Sequence, residues 1–304
     1  MYRHVKNLQF QAKPERPDAL FAMKFQEILG GQFGEMTVMM QYLFQGWNCR
    51  IPGKYKDMIM DIGTEEIGHV EMLTTMLARL LEGAPSETTE KAVAVNPVLA
   101  AVIGGMNPQH AIVSGGGGLP RDSQGVPWNA GYIVASGNML TDFRSNAAAE
   151  GQSRLMTSRI YNMTDDRGVR DMLAFNLARD TFHQQQWLLA IEQLQEDGLA
   201  DLIEDSNFEA ENKDHDHTFW SFSEGSQAAE GRWARGQTLV DEQEIVYLAE
   251  PVPLTDDTGV LPPPDPNLFA TYDGSRGAGK PGTAGAATAQ GVSNVVKKVK
   301  DTLT

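Results

Sequence analysis

The chain has a single cysteine, Cys49, among its 304 residues. One thiol excludes an intramolecular disulfide framework and suits a reducing compartment, so a cytoplasmic protein is expected. No stretch approaches the roughly 18 uninterrupted apolar residues of a membrane span. The opening MYRHVKNLQF lacks the apolar centre of a secretory signal, so neither membrane nor export is expected. Basic residues are also in short supply. Lys and Arg number 25 against 40 Asp and Glu, a formal net charge of -15, which repels polyanions and argues against nucleic acid as a partner.

Apolar residues make up 41% of the chain, enough for a proper core. Four segments carry helical periodicity. The first runs from about Asp18 to Trp47, with Leu20, Phe21, Phe25, Ile28, Leu29, Val38, Met39, Tyr42 and Leu43 spaced by three and four. The second runs from about Lys54 to Leu81 and stops at Gly83 and Pro85. The third spans about Asn138 to Tyr161, and the fourth starts at Asp165 or Asp166, good capping residues, and ends at Gly198. All four exceed the average helix of roughly 11 to 12 residues. Short links join the first pair and the last pair, while a long Gly- and Pro-containing link, residues 82–137, separates the pairs.

This pattern predicts an all-α core, a ferritin-like four-helix bundle with a long central crossover. Beyond Gly198 the periodicity fades, and residues 251–281 are rich in Pro, Gly and Asp, with a possible short helix at 291–303. Residues 1–197 are therefore expected to form the bundle. Residues 198–304 are expected to form an extended, mostly irregular C-terminal arm that wraps the bundle or a neighbouring subunit.

The second segment contains Glu66-Ile67-Gly68-His69, whose carboxylate and imidazole share a helix face. Alone this is a common pattern. Glu35, however, sits on the preceding segment among apolar neighbours, where a carboxylate is costly unless paired or metal-bound. The second half repeats the layout, with Glu150 beside Asn146-Ala147-Ala148-Ala149 and then Asp180-Thr181-Phe182-His183. Each half is a hairpin with Glu on its first helix and acid-x-x-His on its second, the arrangement that holds two metal ions in carboxylate bundles. Such ligands select manganese or iron over softer metals. Other patterns are weaker. His215 and His217 lie in a short polar loop, and Gly115 to Gly118 lacks the Gly-Lys-Ser/Thr of a phosphate loop.

Several stretches resemble the manganese catalases: Leu29-Gly30-Gly31-Gln32-Phe33-Gly34-Glu35-Met36, Thr64-Glu65-Glu66-Ile67-Gly68-His69-Val70-Glu71 and Ser136-Gly137-Asn138. Arg159-Ile160-Tyr161-Asn162-Met163-Thr164-Asp165 and Arg179-Asp180-Thr181-Phe182-His183 complete the set, which spans residues 1 to about 230. The resemblance implies disproportionation of hydrogen peroxide to water and dioxygen by a metal pair cycling between reduced and oxidised states. It implies Glu35 and His69 on one manganese, Glu150 and His183 on a second, and Glu66 bridging them. Tyr42 matches an outer hydrogen-bond partner of the ligands, and Glu65 and Asp180 are candidates to carry a proton.

Asp180 stands where a generic di-iron site has a fourth Glu. Ala149 and Thr157 stand where some relatives carry a basic residue, which points to Arg144 or Arg154 as the nearby cation, or to none. The family also implies a homohexamer and calcium near Asp57 and Asp61. Some of its relatives occur in spore coats, a second possible location. A di-iron oxidase or peroxidase, or a structural shell protein retaining the metal site, are the alternatives.

Overall fold

The computed structural model describes residues 3–83, 108–204 and 210–262. The expected helix at 291–303 and much of the crossover lie outside them. Two compact units are present. One holds the described residues up to Asp216 together with Gln237–Gln243, and the other holds those of His217–Gly236 and from Glu244 onward.

The first unit is helical. Its elements are α1 (Ala19–Gly30), α2 (Glu35–Asn48), α3 (Lys54–Leu80), the short α4 (Pro108–Ile112), α5 (Met139–Tyr161) and α6 (Arg167–Glu196). The caps are those the sequence offers. Asn138 accepts from the amide of Thr141 at 3.0 Å, and Asp166 from that of Val169 at 3.0 Å, each satisfying a backbone donor left open at a helix start. The most extensive packing pairs α5 with α6 and α2 with α3.

One expectation is corrected. The periodic segment from Asp18 to Trp47 is two helices, not one, broken at a glycine-rich turn against which the crossover lies. A Cβ on Gly30 would lie 2.3 Å from the backbone of Arg121, and one on Gly34 would lie 2.5 Å from the carbonyl of Ile28. Only glycine permits either approach. The break makes Glu35 the first residue of α2, where the partial positive charge of the helix start favours a carboxylate.

Described crossover residues are tied to these helices by polar side chains. Gln26 donates to the carbonyls of Leu119 at 2.7 Å and Arg121 at 2.8 Å and faces His110 Nε2 at 2.8 Å, while Trp128 Nε1 donates to Thr37 at 2.9 Å.

Apolar packing divides into two clusters. One collects Phe21, Phe25 and Ile28 of α1, Met72, Met76 and Leu77 of α3 and Met172 and Leu173 of α6. The other collects Val38 and Tyr42 of α2, Ile59 and Ile62 of α3, Phe143 of α5 and Trp187 and Leu194 of α6. Between them α3, α5 and α6 each carry a buried polar stretch: Glu66 and His69, Glu150 with Ser153 and Thr157, and Asn176, Asp180 and His183.

The second unit holds a short parallel pair, β1 (Thr218–Trp220) with β2 (Val246–Leu248), in which Phe219 stacks on Tyr247 at 5.4 Å. Residues 251–262 are irregular, as their composition predicts.

Candidate metal centre

The polar layer brings together the five side chains expected to bind manganese, Glu35, Glu66, His69, Glu150 and His183. Glu35, at the start of α2, and Glu66 and His69, three apart on α3, form one buried group of potential ligands. Glu66, Glu150 of α5 and His183 of α6 form the other. Glu66 belongs to both, and its two oxygens are divided between them. Oε2 lies 2.7 Å from His69 Nδ1 and Oε1 lies 2.6 Å from His183 Nδ1. Outer carboxylates flank each imidazole, with Glu35 Oε2 3.6 Å from His69 Nδ1 and Glu150 Oε1 3.8 Å from His183 Nδ1. The imidazoles stack at 5.7 Å between centroids.

This convergence fits cations. Glu35 Oε2, Glu66 Oε1 and His183 Nδ1 are fully buried, yet none makes a hydrogen bond. Buried orphans of this kind are costly unless something polar sits among them. Glu66 Oε1 and His183 Nδ1 close to 2.6 Å without hydrogen-bond alignment, as two donors of electron pairs do when they point at a common ion. Oxygen and imidazole donors with no thiolate suit manganese or iron.

Protonation expresses the same crowding. Burial, and then the charge of Glu66, raise Glu35 to about 7. Burial and Glu66 raise Glu150 well above the carboxylate range. Burial also opposes charge on Glu66, but His69 and His183 outweigh it and hold Glu66 well below its ordinary value. Burial lowers a histidine, yet Glu65 and Glu66 outweigh it at His183, which rises to about 10. Protons are one way to balance clustered carboxylates. Divalent cations are the other, and they also satisfy the orphaned atoms.

Tyr42 stands behind Glu150, donating its hydroxyl proton to Oε1 at 2.5 Å and packing on Trp187 at 4.9 Å. Burial, Glu150 and Glu66 raise its pKa, so it stays a phenol. Asp180 joins neither ligand group. Asn176 donates to its carboxyl at 3.0 Å and to Glu35 Oε1 at 2.8 Å. Burial and then Glu35 raise Asp180 well above its usual range.

Neither arginine named on α5 hydrogen-bonds to a residue of the two ligand groups. Arg144 bonds to Glu204 at 2.7 Å and Arg154 to Gln184 at 2.9 Å. Arg179 of α6 bonds instead to Glu65 at 2.6 Å. Sequence reasoning missed this role and that of Asn176. The available signal was their spacing before His183, four and seven residues, which places both on its helix face. Among the described residues no ligand group includes Asp57, Asp61, His215 or His217, and both aspartates are exposed. Nor is any helix there long and apolar enough to cross a membrane.

A profile of the family described as manganese containing catalase matches residues 1–273. A manganese catalase of Bacillus subtilis strain 168 is 55% identical over 250 residues, covering 82% of this chain and 91% of that protein. The uncharacterised protein YjqC of the same strain is 52% identical over 266 residues, covering 87% and 95% respectively. Among solved structures, wild-type KatB, a manganese catalase from Anabaena, superposes with a TM-score of 0.65 at 25% identity, covering 83% of this chain and 100% of that one. The helix-dominated, ferritin-like fold therefore has a named counterpart, and the chain belongs to the manganese catalase family.

Proposed function

We propose that Glu35 and His69 bind one manganese ion, Glu150 and His183 a second, and Glu66 both, and that this member of the catalase family disproportionates hydrogen peroxide to water and dioxygen at that pair. The observation that carries the assignment is the division of the Glu66 oxygens between the two ligand groups. A manganese pair would supply a two-electron couple, able to give electrons to one peroxide and take them from the next. The chain's own contribution is positioning and proton handling. Glu35 and Glu150 bring negative charge from opposite helices, and Tyr42 orients Glu150. Asp180, its proton held more tightly because of burial and Glu35 and its carboxyl steadied by Asn176, can hold the proton that must move when the peroxide oxygens separate.

The named relatives do not favour a di-iron oxidase or a structural shell protein. Assembly as a homohexamer, with calcium at Asp57 and Asp61 near an interface, belongs to the same proposal and is supported by the exposure of both aspartates on α3. A cytoplasmic location is supported by the single thiol; a spore coat is the other location the family resemblance offers.

The test is oxygen evolution from peroxide by haem-free protein with its metal content measured. One dioxygen per two peroxides, from protein carrying two manganese ions, is the expected result. Full manganese loading with no oxygen would overturn the proposal, and peroxide consumed without oxygen would indicate a peroxidase instead.

A further inference from the structure

The two histidine helices share a register. On α3 the order is Glu65, Glu66, then His69; on α6 it is Arg179, Asp180, then His183. The residues four before each histidine thus occupy equivalent places in the two halves, and they carry opposite charges. They meet: Arg179 Nε lies 2.6 Å from Glu65 Oε1 and Nη2 lies 3.1 Å from Oε2. A guanidinium that grips both oxygens fixes the plane of the carboxylate.

From this juxtaposition we infer that Glu65 is a positioning residue shared by both ligand imidazoles. Its Oε2 faces His183 Nε2 at 3.2 Å and its Oε1 faces His69 Nε2 at 3.7 Å, electrostatic approaches without hydrogen-bond alignment. The opposite nitrogens, the two Nδ1 atoms, are those that meet Glu66. A neutral imidazole carries one proton, so an anion beside Nε2 draws the proton there and leaves the Nδ1 lone pair for metal. One carboxylate does this for ligands of both metal positions and so links them from outside, as Glu66 links them from inside.

A third element steadies Glu65. Gln9, in the segment before α1, donates to Oε1 at 2.9 Å. It reaches this place by lying against Gly68, where a Cβ would come 3.3 Å from the Gln9 side-chain oxygen. The next residue, Phe10, stacks on Phe175 at 4.7 Å, and Phe175 meets the His69 ring edge-on at 6.4 Å. Glu65 and Arg179 are each partly open to solvent, at 21% and 32% side-chain exposure. Glu65 is therefore set at the boundary of the site rather than among the ligands.

The inference rests on the manganese-pair reading, so its test reads metal retention, which does not require catalysis. Manganese-loaded wild type, Glu65→Gln, Arg179→Gln and Arg179→Lys would be challenged with excess chelator and sampled for remaining manganese, with the melting temperature of each metal-free form as a control. Glu65→Gln is expected to speed loss of both ions about 10- to 100-fold, the range found for outer partners of ligand histidines. Arg179→Gln should speed loss less, and Arg179→Lys should recover only part of it, because an ammonium cannot grip both oxygens. If Glu65→Gln fails to fold, the two Arg179 variants carry the test, and equal retention in both would overturn the inference. Unchanged retention in Glu65→Gln, or faster loss of one ion alone, would overturn it as well.

Discussion

The hydroxyl of Tyr42 on α2 donates to Oε1 of Glu150 on α5 at 2.5 Å, joining two helices through one proton. The same oxygen faces His183. Tyr42 therefore sets how much negative charge and which orientation Glu150 offers the metal. The ring is fully buried against Trp187, so its hydroxyl has no water to turn to.

Tyr42→Phe removes this bond and keeps the ring. A hydrogen bond to a charged group contributes about 1.5 to 3 kcal/mol, so stability should fall by about 2 kcal/mol in a denaturant melt. Peroxide turnover should fall about 10- to 100-fold with both metals still bound. Unchanged turnover would show that Glu150 is oriented by its helix alone.

The ligand groups differ in what a single loss removes. Glu66→Ala deletes the one residue common to both groups, so metal analysis should find little manganese and no turnover. Glu35→Ala and Glu150→Ala should each weaken one ion more than the other. Equal manganese in Glu66→Ala and wild type would rule out the bridge.

How much of this was visible beforehand follows from the range of the interaction. The candidate ligand groups were legible because Glu66 and His69 are spaced for one helix face and His183 sits in a second acid-x-x-His, and the helix starts were legible in Asn138 and in Asp165 or Asp166, of which Asp166 is the cap. The break between α1 and α2 was not. Gly30, Gly31 and Gly34 allow the turn, but the Arg121 backbone that lies against Gly30 comes from far along the chain, and no local period records such an approach. The pairing of Arg179 with Glu65 was not legible, for the same reason. Ala149 and Thr157 drew attention to arginines on α5, while that pairing crosses between helices.

Asp180→Asn separates proton traffic from packing. The amide keeps the shape and a polar contact with Asn176 but cannot release a proton at neutral pH. Manganese content should be retained and turnover should fall about 100-fold, within the usual range for a general acid or base. Wild-type turnover in Asp180→Asn would assign the proton elsewhere, with Glu65 as the next group to examine.

Metal-free protein should be sensitive to pH in a defined direction. Glu35 rises from 4.5 to about 7 on folding, through burial first and the charge of Glu66 second. A raised carboxyl binds its proton more tightly in the folded state. The stability it contributes is full below about pH 4.5 and is lost as pH rises through about 7. Manganese takes the place of that proton, so the loaded protein is spared this loss. The gap in melting temperature between loaded and metal-free protein should widen from about pH 5 to about pH 8. A constant gap across that range would mean that Glu35 does not exchange a proton for the metal.

Gly30→Ala tests whether the crossover sets the position of Glu35. The added Cβ would lie 2.3 Å from both the nitrogen and the oxygen of Arg121. Backbone cannot swing aside as a side chain can, so α1 and the crossover must separate. Gln26 would then lose its carbonyl acceptors at Leu119 and Arg121, leaving a buried amide unsatisfied. Overpacking costs about 1 to 3 kcal/mol, and an unsatisfied buried donor a similar amount. Because Gly30 ends α1 and Glu35 opens α2, the shift passes through the intervening turn to the ligand itself. Gly30→Ala should therefore lower both the denaturant midpoint and manganese retention. Gly53→Ala is the matched control: Gly53 lies at φ +85 with nothing within 4 Å of a new Cβ, so it should cost about 1 to 3 kcal/mol of backbone strain and leave manganese retention unchanged. Equal manganese loss in the two variants would show that retention follows general stability, not the contact between Gly30 and Arg121.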